Sequence, residues 1–300
     1  MLNDEQMAQY EVDGVVTVDS PFTEADLDRY EAAWDRWVER GEDPRDLALL
    51  DDPDYVEIFQ QPFFEEVAKK LLYADSVHLW SGWQPHNRAP YDPPFKPPEE
   101  QWREWSHVDM QATMEDFNAR PRRVRAEMWF WLNDLPADRG AMRVLPGSHR
   151  TIMEHWSRVV TPEHKKELPR LHQVKSPPLC NLKSSPEHVP DLLEKPWVEY
   201  EPVPMVAKRG QVLLICTTIM HSHWVNKDTV SRKAVPLSFV AEGAQCGISG
   251  HQIEHQVTFM SRLREKFPPD RQYLIPTEID YMFASEYEPK WEETCLPMNI

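Results

Sequence analysis

Two histidines and one aspartate are spaced as the ligands of a mononuclear metal site would be. His107 and Asp109 flank Val108 in a stretch with strand character, and side chains at positions i and i+2 of a strand point to the same face. His221 closes the apolar run GQVLLICTTIM far downstream, so a distant strand would supply the third donor. Two imidazoles and one carboxylate leave one face of an iron(II) ion open, whereas zinc more often has three or four closed ligands. These residues therefore predict a non-haem iron site.

His223 is a second candidate at the same place. It follows His221 by two residues in the segment MHSHWVN. Both histidines would share one face of a strand, so strand geometry alone leaves open which of them is the ligand.

Arg232 is the third chemical feature, at the end of the loop NKDTVSR and the start of RKAVPLSFV. A guanidinium binds a carboxylate through two parallel hydrogen bonds, and a protein with a net charge of −17 needs a local cation to hold a dicarboxylate. We interpret Arg232 as a candidate anchor for 2-oxoglutarate. The alternative is a solvated arginine in a turn.

Four motifs occur in a fixed order along the chain: HVD at 107–109, GAMRVLPGSH at 140–149, HSHWVN at 221–226, and Arg232. Together they resemble the phytanoyl-CoA dioxygenase family of iron(II)- and 2-oxoglutarate-dependent oxygenases. The opening LNDEQMAQYEVDGVVTV also resembles the N-terminal helix and strand of that family, so the likeness runs from residue 2 to about residue 240. The resemblance implies a mainly β fold with flanking helices around a double-stranded β-helix, a cupin-like jelly roll.

The resemblance also implies roles for individual residues. His107, Asp109 and His221 are the implied iron ligands, and Arg232 the implied cosubstrate anchor. Trp129 falls where family members often pack an aromatic residue beside the cosubstrate, although it and Trp131 share a strand face and either could be core.

The family spacing favours His221 over His223, because only His221 places Asn226 and Arg232 at the usual offsets. His223 then occupies a position where the family often has a small hydroxyl residue near the cosubstrate carboxylate. An imidazole there could donate to 2-oxoglutarate or face the substrate.

The implied reaction consumes O2 and 2-oxoglutarate, releases succinate and CO2, and hydroxylates a small organic molecule. The carboxylate of Asp109 favours hydroxylation, since related halogenases replace it with a small residue; desaturation and ring closure use the same ligands. Two alternatives stay open: a non-catalytic ligand-binding relative, and a cupin-like metalloenzyme that does not use 2-oxoglutarate.

Local patterns predict the elements that position these residues. Asn3 with Gln6 and Thr23 with Asp26 are capping pairs that begin two helices, and Gly14 and Gly41 end them. A third helix is expected over 57–73, and strands are expected at 77–83, within 126–149, at 210–225 and at 233–241, the last two joined by NKDTVSR as a hairpin loop.

We expect a single domain over residues 1–300, with a lid or insertion at 150–207 and a tail of helix and coil at 250–300. The Pro-rich loop at 84–101 is predicted to form a wall of the site. Arg120, Arg122, Arg123 and Arg125 lie together just before the strand EMWFW. They could receive an anionic substrate, but a solvated loop or pairing with neighbouring acids is the favoured interpretation.

Composition excludes several classes of protein. The charge of −17 is spread along the chain and argues against a nucleic-acid partner. A membrane span and a signal peptide are not expected, which predicts a cytoplasmic protein. The four cysteines are scattered without a C-x-x-C pair and are interpreted as buried free thiols. Nothing in the sequence indicates the oligomeric state.

Overall fold

The computed structural model describes residues 2–41, 47–82, 86–88, 90–91, 93–109, 112–159, 199–243 and 253–275. The helices are α1 (Asp4–Asp13), α2 (Glu24–Glu39), α3 (Pro53–Gln60), α4 (Pro62–Leu72), α5 (Pro98–Trp105), α6 (Met114–Asn118), α7 (Ser148–Val159) and α8 (Ile253–Lys266). The strands are β1 (Val15–Asp19), β2 (Val77–Gly82), β3 (His86–Arg88), β4 (Ala126–Trp131), β5 (Arg143–Val144), β6 (Val203–Pro204), β7 (Gln211–Cys216), β8 (His221–Ser222) and β9 (Arg232–Ala241). Two short 3-10 helices lie at Leu47–Asp51 and Gln272–Leu274.

The strands form two antiparallel sheets. The larger sheet has the order β1-β7-β4-β9-β2, with β3 also paired to β9, and the smaller sheet has the order β6-β5-β8. Strands that are distant in the sequence are neighbours here: β7 lies between β1 and β4, and β9 lies between β4 and β2. This arrangement of two antiparallel sheets with flanking helices is the one that the sequence predicts.

The two faces of β4 have different surroundings. The Phe130 ring packs against Phe22, Tyr30 and Phe64, with centroid distances of 5.3, 6.2 and 5.5 Å, so this face lies against α2 and α4. Because side chains alternate along a strand, Glu127 and the tryptophans at 129 and 131 point to the other side. That other side faces the candidate metal centre described below.

The first two helices begin where the sequence predicts. Asn3 with Gln6, and Thr23 with Asp26, each form a complete capping box, which satisfies backbone N–H groups that a helix end leaves without partners. Gly14 ends α1 in the left-handed conformation, at φ 74°. A Cβ at Gly14 would also lie 2.5 Å from His149 Nδ1, so both the backbone and the packing require glycine.

The structure corrects two predicted elements. The expected helix over 57–73 is two helices, because Pro62 has no N–H to continue the first one and Gln61 is extended, with φ −64° and ψ 122°. The segment NKDTVSR is not a hairpin loop: β8 pairs with β5 in the smaller sheet, whereas β9 pairs with β4 in the larger one. This loop therefore connects the two sheets.

Other predicted segments are only partly described. The predicted loop 84–101 contains β3 and the start of α5, so it is not wholly irregular. Residues 160–198 of the predicted lid at 150–207 lie outside the described residues, but β6, at its C-terminal end, joins the smaller sheet through β5.

The tail contains α8, while residues 276–300 lie outside the described residues. Cys216 is a buried free thiol, as predicted, and the other three cysteines lie outside the described residues. Among the residues that the structure describes, every helix is too short or too polar to span a membrane.

Candidate metal centre

The segment that carries His107 and Asp109 is not a strand. It follows α5, and His107 makes an isolated antiparallel bridge to His221. Each of these two histidines donates its backbone N–H to the carbonyl of the other, at 2.8 and 2.9 Å. The backbone N–H of Asp109 donates to the Thr217 carbonyl at 2.9 Å. Three long-range backbone hydrogen bonds thus place the HVD segment against the chain that leads into β8.

The side chains of His107, Asp109 and His221 converge, with their potential ligand atoms all within 4.8 Å of one another. The Nε2 atom of His107 lies 3.3 Å from one carboxylate oxygen of Asp109, and the Nε2 atom of His221 lies 3.4 Å from the other. Ligand atoms about 2.1 Å from a shared ion would lie roughly 3 Å apart. The donor set and its spacing fit a single metal ion bound on one face.

A backbone carbonyl orients the His221 ring. His221 Nδ1 lies 3.1 Å from the Ile219 carbonyl oxygen, which requires the proton on Nδ1 and leaves the lone pair of Nε2 directed at Asp109. Burial lowers the pKa of His221 to about 4. The imidazole is therefore neutral at physiological pH, which is the form that binds a metal.

The charge of Asp109 also suits a ligand. Burial raises the pKa of its carboxyl, but the neighbouring His221 and His107 outweigh this effect and hold the pKa well below its ordinary value. Asp109 is therefore a carboxylate at neutral pH.

Glu127 is a second acidic group at this place, and the sequence analysis did not single it out. Burial and the charge of Asp109 raise the pKa of Glu127 to about 8. Its Oε1 accepts a hydrogen bond from Trp129 Nε1 at 3.2 Å. The alternation of Glu127, Trp129 and Trp131 on β4 was the signal that could have found it.

Arg232 is buried, with 1% of its surface exposed. Its Nη1 donates to the Gly140 carbonyl at 2.7 Å, and its guanidinium carbon lies 6.0 Å from the Trp129 ring centroid and 5.7 Å from that of Trp131. The indoles of Trp129 and Trp131 stack at 6.1 Å. A buried cation beside two aromatic rings is not the solvated turn arginine of the alternative interpretation.

Asn226 organises the loop that leads from β8 to Arg232. Its Nδ2 donates to the Val230 carbonyl at 2.8 Å, and its Oδ1 accepts from the backbone N–H of Asp228 at 2.9 Å. Arg139 pairs with Asp228 from the other side, at 2.8 Å. The motif asparagine therefore has a structural role here, in shaping the turn that begins β9.

His223 does not belong to the group of three converging side chains. The structure ends β8 at Ser222, one residue before His223, which is half-buried. The structure therefore favours neither of the two roles predicted for its imidazole.

The four clustered arginines have different surroundings. Arg122 is buried and bonds to the Phe117 and Leu71 carbonyls and to Glu11. Arg123 pairs with acidic residues of α6. Arg120 lies over the Tyr73 ring at 3.6 Å, while Arg125 lies 4.0 Å from Glu127. Pairing with neighbouring acids, the favoured prediction, describes Arg122, Arg123 and, at the longer distance of 4.0 Å, Arg125.

Comparison with solved structures shows the same fold. The carbocyclase SnoK of nogalamycin biosynthesis, described as non-heme and alpha-ketoglutarate-dependent, is 17% identical with a TM-score of 0.55, over 84% of this chain and 88% of that one. HygX from Streptomyces hygroscopicus, solved with nickel and 2-oxoglutarate, is 11% identical with a TM-score of 0.52, over 81% and 88%. EctD from S. alaskensis, solved with 2-oxoglutarate and 5-hydroxyectoine, is 18% identical with a TM-score of 0.51, over 81% and 78%. The predicted jelly-roll fold is confirmed.

Comparison with sequences gives the family. None of the curated proteins matches this sequence significantly. The family model described as phytanoyl-CoA dioxygenase (PhyH) matches residues 10–234, a span that includes all four motifs. The chain belongs to the phytanoyl-CoA dioxygenase family.

Proposed function

We propose that this protein is an iron(II)- and 2-oxoglutarate-dependent oxygenase that hydroxylates a small organic molecule. The observation that carries the proposal is the convergence of His107, Asp109 and His221 within 4.8 Å. Membership of the phytanoyl-CoA dioxygenase family supports it, as do similar structures that hold 2-oxoglutarate. When bound, iron(II) and 2-oxoglutarate would supply the oxidising chemistry, which uses O2, releases succinate and CO2, and hydroxylates a C–H bond.

The protein's own residues would hold and orient these groups. His107 and His221 provide Nε2 donors and Asp109 a carboxylate oxygen. The Ile219 carbonyl fixes the His221 tautomer, so no proton has to leave Nε2 before a metal binds.

Arg232 would bind the far carboxylate of 2-oxoglutarate. Its hydrogen bond to Gly140 fixes the plane of the guanidinium, and a fixed fork of N–H donors matches a carboxylate through two parallel bonds. Trp129 and Trp131 surround this position with apolar surface, which excludes water and strengthens the ion pair. His223 stays a candidate second donor to the cosubstrate.

The test is turnover without an added substrate. Purified protein with iron(II), 2-oxoglutarate and O2 should form succinate, and under anaerobic conditions 2-oxoglutarate should produce a metal-to-ligand absorption band. His221→Ala should lower succinate formation at least about 100-fold, because loss of a residue that only supports a metal ligand already costs 10–100-fold. Arg232→Ala should weaken 2-oxoglutarate binding and spare iron binding.

Matched variants separate the alternatives. His78→Gln changes a buried histidine outside the cluster and should retain activity. Full activity in His221→Ala together with loss in His223→Ala would contradict the ligand assignment. Absence of the absorption band in the wild type would favour a ligand-binding protein. Turnover that needs no 2-oxoglutarate and is unchanged in Arg232→Ala would favour a metalloenzyme that does not use this cosubstrate.

A further inference from the structure

A second buried arginine lies on the metal-facing side of the larger sheet. Arg125 immediately precedes β4, and alternation along the strand puts its side chain on the same side as Glu127, opposite Phe130. Continuing the β4–β7 register by one residue places Arg125 across from Thr217, whose carbonyl accepts the backbone N–H of Asp109. Arg125 therefore lies at the end of β4 that is beside the candidate metal centre.

Acidic neighbours, Glu127 and Asp109, lie near the charge of Arg125, but its hydrogen bonds are poorly satisfied. The residue is 9% exposed, and its Nη2 is 4.0 Å from the nearer carboxylate oxygen of Glu127, which is too far for a hydrogen bond. Its Nε has no hydrogen-bond partner among the described residues. By contrast, Arg122 bonds through all three of its nitrogens. A buried charge is costly unless it is paired and hydrogen-bonded, so Arg125 fits a ligand site better than a structural role.

Arg125 is also distinct from the proposed cosubstrate anchor. Arg232 lies beside Trp129 and Trp131, towards the end of β4, whereas Arg125 precedes the first residue of that strand and lies beside Glu127. Arg232 would hold the far carboxylate of 2-oxoglutarate and the metal would hold its other end, so both ends of the cosubstrate have partners other than Arg125, which leaves Arg125 for a different anion.

We propose that Arg125 binds an oxyanion group of the substrate, a carboxylate or a phosphonate, and that the substrates of this protein are small organic anions. The guanidinium fork matches both groups through paired, charge-assisted hydrogen bonds. This inference rests on the proposed function, because the substrate is defined as the molecule that binds beside the metal and the cosubstrate.

The experiment is a calorimetric titration of the oxygen-free complex of the protein with iron(II) and 2-oxoglutarate. The probes are formate, benzoate and methylphosphonate, with formamide and benzamide as neutral analogues of the two carboxylates. At least one oxyanion should bind the wild type at least about tenfold more tightly than the neutral compounds, as expected for charge-assisted hydrogen bonds. The preferred probe then distinguishes a carboxylate from a phosphonate substrate.

Arg125→Gln should remove this preference while the absorption band with 2-oxoglutarate keeps its intensity. Arg262→Gln, which removes an exposed cation paired with Glu265 on α8, is the matched control and should bind the probes as the wild type does. Arg125→Lys keeps the charge but not the planar fork, so it should weaken oxyanion binding by several-fold. It also provides the test if Arg125→Gln does not fold: unchanged oxyanion affinity in Arg125→Lys would then refute the inference.

Two failures are distinguishable. A normal absorption band with no oxyanion preference in the wild type, or with the preference intact in Arg125→Gln, would refute the anion site alone. Absence of the band in the wild type would refute the proposed function and the anion site with it.

Discussion

His149 should make the stability of this protein depend on pH. Its side chain is fully buried, between Gly14 and the Phe117 ring, whose centroid is 5.6 Å away. Burial lowers the pKa of His149 from an ordinary 6.5 to about 4. The folded protein therefore keeps this imidazole neutral at pH values where the unfolded chain already binds a proton.

The sign and size of the effect follow from that difference. Between pH 6.5 and about 4 the unfolded state binds more protons at this residue, so the free energy of unfolding falls as the pH is lowered. Above pH 6.5 the imidazole is neutral in both the folded and the unfolded state, so the free energy of unfolding carries no penalty from this residue. With each pKa unit equal to 1.36 kcal/mol, His149 should account for a loss of about 2 kcal/mol by pH 5 and about 3 kcal/mol below pH 4.

The assay is urea unfolding of the metal-free protein at pH 7.5 and pH 5.0. Other groups also titrate in this range, so the informative quantity is the difference between the wild type and His149→Gln. The pH-dependent loss should be smaller by about 2 kcal/mol in His149→Gln, whatever that variant costs at pH 7.5. His155→Gln changes a less buried histidine on the same helix and should keep the wild-type loss. If His149→Gln lost as much stability between the two pH values as the wild type, the reasoning about buried neutral imidazole would be wrong.

Two further predictions concern the loop before β9 and the end of α1. Asn226→Ala removes two hydrogen bonds within the loop that leads to Arg232. The dissociation constant for 2-oxoglutarate, measured from the anaerobic absorption band, should therefore rise about tenfold. An unchanged dissociation constant would show that the loop does not position Arg232. Gly14→Ala should lower the free energy of unfolding by about 2 kcal/mol or more, because alanine is strained at a φ of 74° and its Cβ would lie against His149. Equal urea midpoints for this variant and the wild type would contradict that account.

Sequence predicted best what depends on neighbours along the chain. The capping boxes at Asn3 and Thr23 and the helix end at Gly14 are all observed, because each is a hydrogen bond or a backbone conformation within a few residues. The break at Pro62 was equally local, and its signal was present in the sequence although the helix was predicted to continue. Motif order also predicted the family and the jelly roll.

Pairing between distant segments was much harder to predict. His107 and Asp109 were expected on a strand, yet an isolated bridge to His221 and a bond to Thr217 hold them in place. NKDTVSR has the length and polarity of a hairpin loop, and nothing local distinguishes it from a connection between two sheets.

The sequence by itself determined the types and order of the candidate ligands, the helix starts and the family. The tertiary structure alone decided which of four adjacent arginines lies beside the candidate metal centre, and that Glu127 lies beside Asp109 there; the choice of His221 over His223 had already followed from the family spacing. The physical reason is that burial and charge at a side chain depend on the segments packed around it. Arg122 and Arg125 are three residues apart, yet only the fold gives one a full set of hydrogen bonds and leaves the other buried beside the site.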